Sequence, residues 1–162
     1  MIVRTFDTTL IKAAVTHPHN WRWASDDYCD SDTYAPCVDN VVYWLEYVHE
    51  GEHMGVYLVH PHNAILCEIH TCLTPNARGK IAKIAANEVL SWIFENTSFA
   101  KVMTHVPINN PLARAYAHRA GMKDEGINRQ SIQIGGELMD QFSLGITKKE
   151  FTCQQQSRQQ SP

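Results

Sequence analysis

The stretch running from Ala64 to Asn96 does most to limit what this chain can fold into. It opens with the run AILCEIHTCL, which reads as a strand over Ala64–Leu73. Leu66, Glu68, His70 and Cys72 fall on one face, and Ile65, Cys67, Ile69, Thr71 and Leu73 on the other. The chain then passes through Thr74, Pro75, Asn76, Ala77, Arg78 and Gly79. Over Arg78–Asn96 the period changes, with Ile81, Ile84, Ala85, Val89, Trp92 and Ile93 recurring at helical spacing. A strand leading through a short turn into a long amphipathic helix has a chemical meaning as well as an architectural one. The first N–H groups of a helix lack intrahelical partners and, with the turn before them, make an anion site. Gly79 permits close backbone approach to a phosphate, and Arg78 and Lys80 add positive charge. The same residues also suit an ordinary strand-to-helix turn with surface cations.

Around this unit the pattern is mixed. Ile2–Phe6 reads as a strand, and Asp7 or Thr8 caps a helix to about Val15. His17–Asp39 has little periodicity and reads as long loops with at most one short helix. Val41–Val48 and Gly55–Val59 read as a hairpin turning at Glu50–His53. Lys101–Val106 is a further strand. Asn110–Ala120 is a helix, with Pro111 in its first turn and Gly121 as its stop. Ile127–Ile134 and Leu138–Ile146 pair through Gly135-Gly136. The expectation is a single α/β domain over residues 1–151, followed by a polar, disordered tail over 152–162.

Composition removes several function classes. A net charge of −3 argues against a broad nucleic-acid surface. Five cysteines without a C-x-x-C pair argue against a disulfide framework and for a reducing, cytoplasmic setting. No apolar run approaches the ~20 residues a membrane helix needs. The nine histidines include the pairs His17/His19 and His60/His62, each within a His-Pro-His-Asn turn, but none has a zinc spacing, so no metal is expected.

The loop at Pro75, Arg78 and Gly79, together with the helix framed by Asn110, Gly121 and Met122, resembles the GNAT superfamily of acyl-CoA N-acyltransferases. The resemblance covers roughly Met1–Phe151. The run His70-Thr-Cys-Leu-Thr-Pro-Asn-Ala-Arg-Gly79, with Trp92-Ile-Phe-Glu-Asn-Thr97 and Val106-Pro107, is similar to small GNAT-like proteins of tailed phages, which implies a bacterial host cytosol. The resemblance implies a central mixed, mostly antiparallel sheet flanked by helices, with strands Ala64–Leu73 and Lys101–Val106 parallel and splayed. It implies acetyl-CoA as cosubstrate, its pyrophosphate on the loop Asn76–Lys83. Arg78, Gly79, Lys80 and Lys83 would serve the phosphates, and Cys72, Leu73 and Asn110 the rest of the cofactor site. The sequence departs from the family at Ile81 and Lys83, where small residues are usual, and Ile81 would crowd the pyrophosphate. Many members carry a tyrosine acid at the position of Ala117; Tyr116 stands one residue early, about 100° round the helix. His118 is a substitute candidate or a surface histidine.

The implied reaction is attack of a primary amine on the thioester, which needs a base for the amine proton and donors for the oxyanion. Glu68 is the candidate general base, because Glu68-Ile-His-Thr-Cys72 reproduces a pattern of some family members; it would otherwise bind substrate or pair with a cation. An acyl-enzyme on Cys72 beside His70 is a further alternative. The acceptor, whether protein, small molecule or RNA, is not specified by the sequence. Asp26, Asp27, Asp30 and Asp32 either attract a cationic amine or form solvated surface. A homodimer is compatible with the fold. The alternative to an N-acetyltransferase is a non-catalytic GNAT-like binding or virion-associated protein of a phage.

Overall fold

The computed structural model describes residues 1–159. Along the chain come β1 (Ile2–Arg4), α1 (Thr8–Thr16), α2 (Pro18–Ala24), β2 (Tyr43–His49), β3 (Glu52–Pro61), β4 (Leu66–Leu73) and α3 (Lys80–Asn96). They are followed by β5 (Lys101–Pro107), α4 (Pro111–Arg119), β6 (Lys123–Ile134), β7 (Glu137–Thr147) and α5 (Lys148–Gln159). The strands form one seven-stranded sheet in the order β1-β2-β3-β4-β5-β7-β6. Every neighbouring pair is antiparallel except β4 and β5, which run parallel because α3 carries the chain back between them. This is the mixed, mostly antiparallel sheet with flanking helices that the sequence leads one to expect.

The alternation in β4 divides two cores. Cys67, Ile69 and Leu73 join the larger one, where α3 packs Ala85, Ala86, Val89, Leu90, Ile93 and Phe94 against the sheet. Each of those larger aliphatic or aromatic side chains is worth about 1.5–3 kcal/mol when fully buried. Cys72 faces the other way, into a smaller core of Ile11, Ala14, Val15, Trp44 and Val56 beneath α1. Asp7 caps α1, accepting the N–H groups of Thr9 and Leu10 at 2.9 and 3.0 Å. Asn110 caps α4, its side chain accepting the Ala113 N–H at 3.1 Å. Gly121 follows α4 with φ +95, as a helix stop requires.

The segment after residue 151 departs from expectation. It was expected to be a disordered tail, but the chain is helical to Gln159, and the expected boundary falls inside α5. Residues 160–162 lie outside the described part. The cause is local and readable: Thr147-Lys-Lys-Glu150 is a capping box. The Thr147 N–H and hydroxyl both donate to Glu150 Oε2, at 3.0 and 2.8 Å, and Thr147 Oγ1 accepts the Glu150 N–H at 3.2 Å. Lys123 adds an ion pair to Glu150 at 2.7 Å. That bond and the Thr147 donors hold the Glu150 carboxyl at about 2. Phe151 then packs on Phe94 at 5.5 Å between centroids, and Gln154 Nε2 donates to the Gly121 carbonyl at 3.2 Å. Thr147→Ala removes the cap and is expected to cost about 1 kcal/mol. For a domain of this size that is a fall in Tm of about 2–4 °C, measurable by calorimetry; an unchanged Tm would mean that the cap does not hold α5.

Candidate active site

Strands β4 and β5 pair over only three rungs: Leu66↔Lys101, Cys67↔Val102 and Glu68↔Met103. Beyond them residues 69–73 stay paired with β3, from Ile69↔Val59 to Leu73↔Gly55. Residues 104–107 stay paired with β7, from Thr104↔Leu144 to Pro107↔Gln141. Each strand is held by its outer neighbour while the inner edges diverge, which opens a wedge with Glu68 at its apex. The two diverging edges carry main-chain groups that the sheet itself leaves for water or a ligand to satisfy.

At the outer end of β4 the turn 74–79 delivers the chain to α3. Gly79 is the N-cap of α3 with φ +56 and ψ −118, and no side chain caps the helix. A Cβ built on Gly79 would have nothing within 4 Å, so the space before the helix start is open. Arg78, Lys80 and Lys83 are exposed and form none of the ion pairs among the described residues. An uncapped helix start with three uncommitted cations is electrostatically suited to an anion. Ile81, expected to crowd this site, instead packs against the larger core.

The apex gathers one carboxylate and three imidazoles. Glu68 is 13 % exposed at its side chain, and its two oxygens are both engaged. Oε2 lies 3.0 Å from His62 Nε2, and Oε1 lies 3.0 Å from His105 Nδ1. His70 Nε2 stands 3.7 Å from Oε1. Burial alone would push the Glu68 carboxyl up. The His105 hydrogen bond, the His70 charge and the His62 hydrogen bond outweigh it and hold the group below its ordinary value. His60 packs edge-on against His62 at 5.8 Å. Among the described residues, no three His, Cys, Asp or Glu side chains are arranged to hold a metal ion.

The remaining sequence candidates distribute unevenly. Tyr116 turns into the larger core, where its hydroxyl lies 2.8 Å from that of Tyr57, and burial pushes its pKa up to about 12. His118 points away, 3.3 Å from Asp124, which Arg114 also holds at 2.7 Å. The Cys72 thiol is buried in the smaller core, and burial pushes it up to about 12, which suits packing rather than nucleophilic attack. Leu73 is core, and Asn110 is a buried cap. His62, His105 and Tyr57 were not candidates. The period-2 pattern places His105 on one face of its strand, but only the parallel register with β4 brings it to Glu68.

The long segment between α2 and β2 is fastened to the far hairpin. Asp27 Oδ1 and Oδ2 accept the N–H groups of Gly135 and Gly136, each at 2.7 Å, and these bonds hold the Asp27 carboxyl below its ordinary value. Asp26 and Asp30 accept N–H groups within their own loop, from Tyr28 at 2.9 Å and Asp32 at 3.0 Å.

The fold is similar to that of solved acetyltransferases. Spermidine N-acetyltransferase from Vibrio cholerae, in complex with CoA and spermine, matches with a TM-score of 0.71 at 16% identity, over 94% of this chain and 97% of that one. A point mutant of that enzyme matches with a TM-score of 0.66 at 20% identity, over 72% of each chain. The chain therefore shares its fold with these acetyltransferases. The chain belongs to the family described as protein of unknown function (DUF2824), whose model matches residues 10–154. A phage relative, protein p31 of Acyrthosiphon pisum secondary endosymbiont phage 1, is 26% identical over 86 residues. That match spans 53% of this chain and 56% of p31, about half the length of each.

Because Glu68 is held below 4.5, its value in the unfolded chain, it adds stability that is fully present above that pH and is lost as pH falls through the lower folded value. Thermal unfolding of wild type and Glu68→Gln should therefore differ at pH 7 and converge below pH 4.5. Parallel curves down to about pH 3 would show that the three imidazoles do not favour the ionised carboxylate.

Proposed function

We propose that this chain is an N-acetyltransferase that carries an acetyl group from acetyl-CoA to a primary amine. The observation that carries the reading is the wedge itself: a parted parallel pair with an ionised carboxylate at its apex and an uncapped, cation-flanked helix start at its outer end. Acetyl-CoA would supply the activated acyl group. Arg78, Gly79, Lys80 and Lys83 would hold its phosphates, and the free edge of residues 69–73 would receive the pantetheine arm. Glu68 supplies the negative charge that draws a cationic amine to the apex, where the carboxylate and the imidazoles hydrogen-bonded to it would take up the amine proton. Amines of the lysine type are protonated near neutral pH, with pKa about 10.4, and attack needs the neutral form. The neighbour solved with CoA and spermine is a precedent for a cationic acceptor on this fold.

A binding module without turnover is favoured by one observation. The only tyrosine of α4, Tyr116, has its hydroxyl committed to Tyr57 rather than free to protonate a departing thiolate.

Two measurements separate these readings. Acetyl-CoA at about 100 times its Kd should stabilise the fold by about 2.7 kcal/mol, an upward shift of roughly 5–10 °C. Gly79→Val should abolish the shift, because a β-branched residue is strained at φ +56 and its side chain fills the open space before α3. No shift and no heat of binding with the wild-type protein would sink the cofactor site. Glu68→Gln should lower kcat by at least ~10²-fold while leaving acetyl-CoA affinity within a few-fold, and the deficit should shrink at high pH. Binding of acetyl-CoA without acetyl transfer to any amine would favour the module.

A further inference from the structure

We infer that His105, rather than Glu68, receives the proton of the acceptor amine, and that Glu68 is the group that orients and charges it. This rests on the acyltransferase reading and assigns the proton within it.

The argument begins with what Glu68 has left to offer. Both of its oxygens already lie 3.0 Å from imidazole nitrogens, Oε2 from His62 and Oε1 from His105. An ionised carboxylate only accepts hydrogen bonds, so the ring nitrogens facing it carry the protons. His105 meets Oε1 through Nδ1. That fixes the neutral ring with its hydrogen on Nδ1 and its lone pair on Nε2, the arrangement in which a carboxylate holds a histidine as base. Position selects His105 from the three rings. It stands on β5, two residues past Met103, the last rung of the parallel pair, so it lies on the wall of the wedge facing β4. His62 follows the end of β3, on the far side of β4 from the wedge. His70 lies on β4 itself, and its 3.7 Å separation from Oε1 is too long for a hydrogen bond.

Acid–base matching points the same way. A carboxylate near ~4.3 lies about 6 pH units below an amine near ~10.4, a long step for direct proton transfer. The Glu68 carboxyl is lower still than the ordinary value, which widens that gap. The groups facing this centre are Glu68 and His70 on β4, His60 on β3 and His62 just beyond it. Lower on β5 is Lys101, neutralised by Glu125 from β6 at 2.6 Å. Ser143 of β7, opposite His105, carries no charge.

The step balances as follows. One proton passes from the acceptor ammonium to His105 Nε2. The freed lone pair forms the C–N bond at the acetyl carbon, the C–S bond breaks with its electron pair on sulfur, and the surplus nitrogen proton goes to that sulfur. The imidazolium then returns its proton to water, so one proton is released per turnover.

The test is the pH dependence of kcat, followed by thiol release from acetyl-CoA with spermidine and, separately, with n-butylamine as acceptor. Wild type should show an acid limb. His105→Gln should lose ~10²–10⁴-fold in kcat and lose the limb, with Tm and acetyl-CoA affinity close to wild type. Glu68→Gln should keep the limb but move it to lower pH, because the imidazolium loses its carboxylate. His105→Ala should be partly rescued by millimolar imidazole, and Glu68→Gln should not. His53→Gln, seven residues along β3 from His60, the residue opposite Glu68, and paired with Glu46, should behave as wild type. An acid limb that survives in His105→Gln, or that vanishes in Glu68→Gln, overturns the assignment while leaving the enzyme reading intact. Wild-type protein that neither binds acetyl-CoA nor releases thiol overturns both.

Discussion

The short parallel pairing of β4 and β5 is the constraint on which the rest of the molecule turns. Three rungs tie the two strands, and past Glu68↔Met103 each follows its outer neighbour. A sheet gives up ladder hydrogen bonds at such a parting, and backbone groups on both edges then need partners from elsewhere. The larger core absorbs the cost on one side, because α3 spans the sheet behind the parting and buries six side chains against it. The parting also brings a carboxylate, an imidazole-lined wall and a free helix start to one locality while they remain far apart in sequence.

The electrostatics of the apex follow from that placement. A carboxylate at 13 % exposure would ordinarily be driven toward its neutral form. Imidazoles at 3.0 Å on each oxygen reverse the sign. The site is therefore anionic at the bottom and cationic at the turn 74–79, a polarity that suits a ligand with phosphate at one end and an amine arriving at the other.

Much of the frame was legible because its signals are local. The alternation in Leu66–Leu73, the helical period of Lys80–Asn96, the Asn110 cap and the turn at Gly135-Gly136 each depend on neighbouring residues. The capping box at Thr147–Glu150 was equally local but was masked by the glutamine-rich composition that follows it. Strand β6 begins at Lys123 rather than Ile127 because its first residues pair with β7 despite a polar, exposed sequence. The site was less legible for a different reason. That Glu68 meets His62 and His105 depends on strand order and parallel register, which no short window of sequence encodes. Tyr116 illustrates the same limit: helical angle alone puts it off the usual position, but only packing gives it Tyr57 as a partner.

The Asp27 grip on the Gly135 and Gly136 amides bears on how the protein emerges from the ribosome. Asp27 and its partners are separated by 108 and 109 residues. At a synthesis rate of about 5–20 residues per second, the front segment spends roughly 5–20 seconds outside the exit tunnel before its anchor exists. Over that interval β5 also lacks β7, since β7 lies between β5 and β6 in the sheet but is made last of the seven strands. The final quarter of the chain thus closes the sheet and fixes the front loop in a single late event, so a nascent chain stalled before residue 136 has neither.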